Sequence, residues 1–329
     1  MERAFIQEIF KIKDSGTFRA AALKVFHYQA ANTPVYSEYL AALKVDPDRV
    51  NEVEEIPFLP IEFFRSFTVL EEGKNAEVIF ESSGTTGTAP SRHHVADTGL
   101  YRESFLRNFN ALYGSPEDLC ILALLPSYLE RESSSLVYMM NQLISWSKHE
   151  ESGFYLDQLE ELSSILQKRN NDRFPTLLLG VSFALLDLAD QHPMDLWNNI
   201  RVMETGGMKG RRKELVRSEL HQQLQQAFDL ESVHSEYGMT ELLSQAYSDG
   251  EGLFRSPPWM KVLIRDPNDP LSMLPSGQSG GINIIDLANV HSCSFIATGD
   301  LGKVYEDGSF EVLGRYDHSD IRGCNLLIS

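Results

Sequence analysis

Short apolar segments alternate with helical patterns through the middle of the chain. Residues 119–125 and 176–181 are apolar runs of strand length, which is typical of buried β-strands, and residues 200–208 repeat the pattern of a strand that ends in glycines. Between and after them, residues 155–166 and 216–228 each place apolar side chains on one helical face. These side chains are Leu159, Leu162, Leu166, Val216, Leu220, Leu224 and Phe228. The alternation predicts an α/β fold with a mostly parallel sheet flanked by helices, in which ligands bind beyond the carboxyl ends of the strands.

The pattern differs at the two ends of the chain. The first fifty residues have helical spacing and carry no side chains that indicate chemistry. From about residue 254 onward, short strand-like runs lie between turn clusters such as Glu306-Asp307-Gly308. The predicted strands are residues 260–265, 281–286, 294–297, 302–305 and 310–313. We therefore expect a large α/β core at residues 1–252 and a smaller β-rich lobe at residues 253–329.

The charge of the chain restricts its partners. The formal net charge of −18 disfavours nucleic acid and anionic membrane surfaces, and an anionic ligand would need local cations. No apolar stretch reaches the length of a membrane span and the N-terminus lacks a signal-peptide core, so the protein is expected to be cytoplasmic. Cys120, Cys293 and Cys324 are too few and too scattered for a disulfide framework or a zinc site, and Cys120 is expected in the core.

A loop rich in glycine and hydroxyl groups follows the apolar run at residues 78–80. Gly84 and Gly87 allow unusual backbone angles and a close approach of a ligand. Successive backbone N–H groups and hydroxyls can then surround an anion. The predicted phosphate-binding residues are Ser82, Ser83, Gly84, Thr85, Thr86 and Gly87. Because a strand enters the loop and a helix capped by Asp97 is predicted to leave it, phosphate binding is favoured over a flexible linker, although the Walker Gly-Lys-Ser/Thr is absent.

The segment Tyr237-Gly238-Met239-Thr240-Glu241 combines side chains that suit a nucleotide. The ring of Tyr237 can stack on a purine, and the hydroxyl of Thr240 can bind a phosphate oxygen. The carboxylate of Glu241 is a natural ligand for Mg²⁺. By itself Tyr-Gly is a common turn and Thr-Glu a common helix start, so the segment gains its meaning from the loop upstream. His234, just before it, is expected to be a core histidine.

Two further segments carry residues of the same kind. Glu204-Thr205-Gly206-Gly207 ends a predicted strand, and a tight connection is the alternative interpretation. Thr298-Gly299-Asp300 is typical of a β-turn, yet an aspartate can accept hydrogen bonds from both hydroxyls of a ribose. Arg315 offers a planar guanidinium for phosphate or ribose oxygens.

In content and order, these segments resemble the motifs of the adenylate-forming superfamily, which includes acyl-CoA synthetases, luciferases and the adenylation domains of peptide synthetases. The resemblance covers about residues 80–323 and implies binding of ATP and Mg²⁺. It implies phosphate contacts from the loop, adenine contacts from the backbone at 204–207, a ribose contact from Asp300 and a hinge at Arg315. The implied nucleotide-binding residues are Ser82, Ser83, Gly84, Thr85, Thr86, Gly87, Glu204, Thr205, Gly206, Gly207, Tyr237, Gly238, Asp300 and Arg315, with Thr240 and Glu241 as catalytic residues and Glu241 as the metal ligand.

The last residues of the sequence indicate which family within the superfamily this chain resembles most. Typical members continue past the hinge into a small mobile domain whose lysine contacts the reacting carboxylate, whereas this sequence stops at Ser329. In this it resembles the acyl-protein synthetases of bacterial bioluminescence, which are short and carry a Pro- and Phe-rich segment similar to residues 56–66. Those proteins accept the activated fatty acid on a cysteine near the C-terminus, and Cys324 matches that cysteine.

Two interpretations of Cys324 remain. It can be a small buried residue next to the apolar run at 326–328, as free cysteines often are. Alternatively it is a nucleophile, because Arg322 would favour the thiolate and Gly323 leaves room for an acyl group.

The resemblance implies a ligase that adenylates a carboxylic acid, most simply a fatty acid, releases pyrophosphate and transfers the acyl group to its own Cys324. One alternative is an AMP-forming ligase of the phenylacetate type with CoA as acceptor. Another is an inactive nucleotide-binding scaffold for an acyl reductase. The resemblance further implies an acyl reductase or an acyl donor as a protein partner. The sequence defines neither the carboxylic acid nor the oligomeric state.

Overall fold

A computed structural model of the chain describes residues 3–82, 89–126, 131–206, 212 and 215–315. Its helices are α1 (Arg3–Ile9), α2 (Ser15–Asn32), α3 (Pro34–Ala42), α4 (Phe63–Ser66), α5 (Thr98–Tyr113), α6 (Ser135–Trp146), α7 (Leu159–Asp172), α8 (Ser182–Gln191) and α9 (Arg217–Phe228). Short 3-10 helices cover Pro47–Arg49, Val53–Glu55 and Pro116–Asp118. Over the described ranges, no helix combines the length and the apolar character needed to cross a membrane.

The strands follow the predicted positions closely in most of the chain. They are β1 (Leu59–Pro60), β2 (Val78–Glu81), β3 (Arg92–Val95), β4 (Cys120–Leu124), β5 (Gly153–Phe154), β6 (Thr176–Val181), β7 (Ile200–Thr205), β8 (His234–Tyr237), β9 (Ala246–Ser248), β10 (Met260–Arg265), β11 (Met273–Leu274), β12 (Ser279–Asp286), β13 (Phe295–Val304) and β14 (Phe310–Arg315).

The first large sheet confirms the predicted α/β architecture. Its strand order is β5-β4-β6-β7-β8-β9, and only β9 runs antiparallel to its neighbour. Strands β4 and β6 are buried along their whole length, as expected where helices cover both faces. Because the strands are parallel, their carboxyl ends lie at one edge, where Thr205 is the register partner of Glu236.

The second large sheet contains the β-rich part of the chain. Its order is β1-β13-β12-β10-β11, and β14 also pairs with β13. Strand β1 runs parallel to β13 and sets Pro60 beside Ala297, two residues from Gly299. The Pro- and Phe-rich segment therefore lies next to the Thr298-Gly299-Asp300 motif. The division of the chain at residues 252 and 253 stays a prediction.

Three local predictions were wrong. The loop after β2 does not lead directly to a helix, because β3 comes first and pairs antiparallel with β2. The helix predicted at 155–166 begins at Leu159, because Gly153–Phe154 forms a strand with β4. No turn occurs at Thr298-Gly299-Asp300, since β13 runs through this motif and pairs with both β12 and β14.

The N-terminal helices anchor the segment that leads to the site, and their prediction is confirmed. Asp14 caps α2 by accepting a hydrogen bond from the backbone N–H of Thr17 at 2.8 Å. Phe26 and Tyr36 are fully buried and pack edge-on and face-on, respectively, against Phe295 of β13. Loss of such a buried ring costs roughly 3–5 kcal/mol. Helices α2 and α3 thus pack against the buried face of β13 and hold this strand in place.

Candidate nucleotide site

Tyr237, Asp300 and Arg315 meet where the two large sheets approach each other. The hydroxyl of Tyr237 donates a hydrogen bond to Oδ2 of Asp300 at 2.9 Å. Nε of Arg315 lies 3.5 Å from Oδ1 of the same carboxylate. Asp300 is 8% exposed, whereas the side chain of Arg315 is 83% exposed. Three residues predicted from separate motifs are therefore in contact.

Burial controls the electrostatics of this contact. It raises the pKa of the Asp300 carboxyl, and the hydrogen bond from Tyr237 and the charge of Arg315 only partly oppose the rise. The ring of Tyr237 packs against Phe254 and Phe310 with centroid distances of 5.8 and 5.6 Å. A carboxylate accepts about four hydrogen bonds, so Asp300 keeps acceptor positions for the hydroxyls of a ribose.

In the predicted adenine segment at the end of β7, the Glu204 carboxylate is buried and already paired with neighbouring side chains. Nε of Arg217 lies 3.1 Å from Oε1 of Glu204, and Nε2 of His221 lies 3.6 Å from it. Burial would raise the pKa of Glu204, but the hydrogen bond from His221 and the charge of Arg217 lower it overall. We therefore expect the backbone of this segment, and not the Glu204 side chain, to face a nucleotide. The backbone at Gly206 has φ +69°, a left-handed conformation that favours glycine. Gly207 lies outside the described residues.

Glu236 is a buried acid that the sequence patterns did not single out. The hydroxyl of Thr205 donates a hydrogen bond to its Oε2 at 2.5 Å. Burial raises the pKa of Glu236 to about 7, and the charge of Glu204 adds to the rise. A Cβ at position 238 would lie 2.4 Å from Oε1 of Glu236, so any other residue there would force this buried carboxylate to move.

The backbone carbonyl groups of Thr240 and Glu241 are hydrogen-bonded to buried polar side chains. Nδ1 of His93 lies 2.9 Å from the carbonyl oxygen of Thr240, and Nε2 lies 3.0 Å from Oδ1 of Asn289. Nδ2 of Asn289 donates to the carbonyl oxygen of Glu241 at 2.9 Å. Burial lowers the pKa of His93 to about 4. No sequence pattern indicated His93 or Asn289, because each lies far along the chain from the segment that it supports.

The Glu241 side chain is close to the base of the predicted phosphate loop. Glu241 is 5% exposed, and burial raises its pKa, against which a hydrogen bond from the Ser91 hydroxyl acts. Ser91 in turn forms two hydrogen bonds with Ser82. The Ser82 N–H donates to the Ser91 carbonyl at 3.0 Å, and the Ser91 N–H donates to Oγ of Ser82 at 2.9 Å. Residues 83–87 of the predicted loop and Cys324 lie outside the described residues.

The donor set around Glu241 suits Mg²⁺. The available atoms are carboxylate and hydroxyl oxygens, which are the hard ligands that this ion prefers. A buried carboxylate with a raised pKa is also a group that a nearby cation would stabilise in its ionised form.

A different cluster lies at the amino end of the parallel sheet. Ligand atoms of Cys120, His149 and Glu151 lie within 4.8 Å of one another. Arg169 already supplies positive charge there, since its Nε is 3.4 Å from Oε2 of Glu151 and its Nη2 is 2.6 Å from Oδ2 of Asp172. Cys120 is fully buried, which confirms its place in the core. We assign no metal to this cluster.

His234 is half-buried and serves packing, as expected. Its Nδ1 lies 3.2 Å from the hydroxyl of Tyr113, and the two rings are in contact. Burial lowers the pKa of His234, so the ring is held in its neutral form.

The fold defines the class of the protein. A chimera of MatB and BclM with bound ATP superimposes with a TM-score of 0.57 at 18% identity, over 75% of this chain and 49% of the other. The chain thus spans about half the length of that protein. The open conformation of 2-hydroxyisobutyryl-CoA ligase, in complex with 2-HIB-AMP and CoA, superimposes with a TM-score of 0.64 at 12% identity, over 92% of this chain and 70% of the other. The fold is that of the adenylate-forming ligases.

The sequence then defines the family. The profile of the family described as acyl-protein synthetase, LuxE, matches residues 11–329. The long-chain-fatty-acid–luciferin-component ligase of Vibrio harveyi is 24% identical over 330 aligned positions, which cover 92% of this chain and 85% of that protein. This chain belongs to the LuxE family of acyl-protein synthetases and is a ligase of the AMP-forming, acid-activating class.

Proposed function

We propose that the chain binds ATP at this site, activates a carboxylic acid as its acyl-adenylate, and transfers the acyl group to a thiol. The observation that carries the proposal is the hydrogen bond between Tyr237 and Asp300, at 2.9 Å. It joins a motif that follows one sheet to a motif within the other, which is the arrangement a ligand between the sheets requires. The family membership supports the same chemistry.

Each part of the nucleotide has a candidate partner. The ring of Tyr237 would pack against the adenine, and Asp300 would accept hydrogen bonds from the ribose hydroxyls. The backbone N–H groups of residues 83–87 and the hydroxyl of Thr240 bind the phosphates. Glu241 would hold Mg²⁺, which supplies positive charge to the phosphate oxygens when it is bound. Arg315, exposed beside Asp300, adds a cation at the edge of the site.

The first step forms the adenylate. A carboxylate oxygen of the acid attacks the α-phosphorus of ATP, the bond to the bridging oxygen breaks, and pyrophosphate leaves with the bonding electron pair. No proton is transferred, so the protein contributes mainly by orienting the two anions and by compensating their charge. The buried supports of Thr240, which include His93, keep its hydroxyl in a fixed place during this step.

The second step moves the acyl group to sulfur. A thiolate attacks the acyl carbonyl carbon, the bond from that carbon to the phosphate oxygen breaks, and AMP leaves. We assign the thiolate to Cys324. Cys120 and Cys293 are poor candidates because both are fully buried, and burial raises the pKa of each thiol to about 12.

We propose a long-chain fatty acid as the substrate. The support is the Vibrio harveyi relative, which is a long-chain-fatty-acid–luciferin-component ligase. In that case an acyl reductase is the natural protein partner, because a thioester is the form in which an acyl group can be reduced or passed on.

Exchange of labelled pyrophosphate into ATP tests the first step. The purified chain is incubated with ATP, Mg²⁺ and one acid at a time, from acetate to stearate. We expect exchange only when an acid is present, and most with the long-chain acids. A chain that binds ATP but exchanges no pyrophosphate with any acid would contradict the ligase and favour the inactive scaffold.

Labelled fatty acid tests the second step. Incubation with ATP and Mg²⁺ should leave label on the protein that hydroxylamine removes, as expected of a thioester. Cys324→Ser should abolish this label and leave pyrophosphate exchange intact, while the control Cys293→Ala should keep the label. Label that persists in Cys324→Ser, or acyl-CoA formation that does not need Cys324, would assign the acceptor role elsewhere.

A further inference from the structure

Helix α4 is fixed beside the nucleotide site by its position in the second sheet. The strand before it, β1, pairs with β13 so that Pro60 lies opposite Ala297. The Ile61 N–H then donates to the Ala297 carbonyl at 3.0 Å. Ala297 directly precedes the Thr298-Gly299-Asp300 motif, so α4 begins within a few residues of the proposed ribose contact.

A second contact attaches α4 to the segment that carries Glu241. The fully buried ring of Phe64 packs edge-on against the imidazole of His93, with centroids 5.7 Å apart. His93 is the residue whose Nδ1 lies 2.9 Å from the carbonyl oxygen of Thr240. The residue that follows Phe64 on this short helix is exposed.

That next residue is Arg65, which is exposed and makes no ion pair with any residue that the structure describes. Other arginines near the site are engaged: Arg92 pairs with Glu81 at 3.0 Å, and Arg217 with Glu204 at 3.1 Å. The positive charge of Arg65 nevertheless reaches the proposed metal ligand, since it helps to lower the pKa of Glu241 against the effect of burial.

The ligand that the site is proposed to bind requires such a cation. ATP bound to Mg²⁺ keeps a net negative charge, and the chain itself has a formal net charge of −18. The predicted phosphate loop offers only neutral hydroxyl and backbone donors, from Ser82 to Gly87. An arginine can form two parallel, charge-assisted hydrogen bonds to a phosphate group.

We propose that Arg65 binds the phosphate groups of ATP and thereby serves as a catalytic residue of the adenylation step. This inference rests on the proposed function. Arg65 supplies positive charge from α4 while the phosphate loop supplies neutral donors, and the two together compensate the charge that builds up as pyrophosphate leaves.

Calorimetric titration with separate nucleotides tests this role. Arg65→Ala should weaken the binding of ATP with Mg²⁺ about tenfold or more, as expected for loss of a charge-assisted hydrogen bond, and should leave the affinity for adenosine unchanged. Arg65→Lys should recover part of the affinity, because it keeps the charge and loses the planar fork. The control is Arg49→Ala, which removes an arginine whose side chain is 86% exposed and paired only with Asp46 within its own turn.

The outcomes separate this inference from the proposed function. A wild-type chain that binds no ATP overturns the proposed function and this inference together. If the wild type binds ATP and Arg65→Ala binds it equally well, the inference alone fails. Equal weakening of ATP and adenosine would also overturn it, because that result marks a structural role. Selective loss of ATP affinity, together with slower pyrophosphate exchange at saturating ATP, supports it.

Discussion

The parallel sheet has buried charge at both of its ends, and the two ends compensate it differently. At the amino end, the buried guanidinium of Arg169 contacts Glu151 and Asp172 at 3.4 and 2.6 Å. At the carboxyl end, burial raises the pKa of Glu236 to about 7 and raises that of Glu241, and no described ion pair involves either side chain. At the amino end the described residues include the counter-ion of the two acids, whereas at the carboxyl end the described residues contain no ion-pair partner for Glu236 or Glu241.

This difference in charge compensation indicates which buried carboxylates stabilise the fold and which are available to a ligand. A buried carboxylate that already has a cation stabilises the fold and has little to offer a ligand. A buried carboxylate without one is poised to bind a metal ion, a hydroxyl group or a proton. Glu204 shows that position along the sheet is not decisive, because it lies at the carboxyl end but is compensated by Arg217. The charge balance of each group, more than its place in a motif, therefore indicates its role.

Removing the amino-end cation should affect stability and leave binding intact. Arg169→Met leaves Glu151 and Asp172 without their partner and should lower the free energy of unfolding by about 3 kcal/mol, at the low end for buried pairs because both acids still contact water. Chemical denaturation measures the change. Arg107→Met, which removes a surface pair with Glu103, is the control and should cost less than about 1 kcal/mol. A large loss of ATP affinity in Arg169→Met would break the comparison.

Glu236 should make stability depend on pH. Its pKa is raised from the ordinary value of 4.5 to about 7, so the folded state holds the proton more tightly than the unfolded state. This contribution is fully present below pH 4.5 and is lost as the pH rises towards 7. Glu236→Gln does not titrate, so its stability relative to the wild type should increase by about 3 kcal/mol across this window.

Urea denaturation at a series of pH values measures this difference. Glu231→Gln provides the control, because it removes one carboxylate from an exposed position. A stability difference between Glu236→Gln and the wild type that stays constant with pH would mean that Glu236 is compensated, as Glu204 is.

Asp300→Ala should weaken ATP binding while the fold persists. Loss of charge-assisted hydrogen bonds to the ribose should cost about 1.5–3 kcal/mol of binding free energy. Calorimetry with ATP measures it, and Asp307→Ala is the control, because Asp307 is an exposed turn residue paired with Arg255. Equal affinities in both variants would remove Asp300 from the nucleotide site.

Glu241→Gln should have the smallest effect, confined to the metal requirement. The amide keeps an oxygen in place but loses the charge, so several-fold more Mg²⁺ should be needed for half-maximal pyrophosphate exchange. Glu306→Gln, on an exposed turn, should leave the Mg²⁺ dependence unchanged. An unchanged dependence in Glu241→Gln would assign the metal to other residues.

The sequence predicted those parts of the fold that local patterns encode. Strands β4 and β6 are almost entirely apolar runs, and their boundaries follow directly from hydropathy. Strand β3 was missed because it is four residues long and carries Arg92, His93 and His94, which are atypical of strands. Thr298-Gly299-Asp300 has the composition of a turn, but strand β13 continues through it, paired with β12 at Ala297 and Leu301 and with β14 from Asp300, and this tertiary context overrides the local preference.

In the site, too, the residues within short motifs were predicted and the residues that support them from elsewhere in the chain were not. Tyr237, Asp300 and Arg315 were predicted from short motifs, and the structure brings them into contact. Their supports were not predicted, because His93 lies 147 residues from Thr240 and such separations leave no periodic signal in a single sequence. Charge compensation escapes sequence reasoning for the same reason. Whether a glutamate is paired depends on which residues the fold brings next to it.

The pairing of strand β13 with three other strands restricts where residues can be inserted into or deleted from the chain. One continuous strand pairs with β1 at Ile296 and Ala297 and with β14 from Asp300 onward, while β12 runs along its other edge. Side chains alternate between the faces of a strand, so one inserted or deleted residue near Thr298 would turn Asp300 to the opposite face and shift the pairing with β14. The turn at residues 306–308 lies outside the register of β13 and β14, which ends at Val304 and Phe310, so a change of length there leaves the strand pairing intact. Among relatives of this chain, insertions and deletions should therefore collect in that turn and be absent from β13.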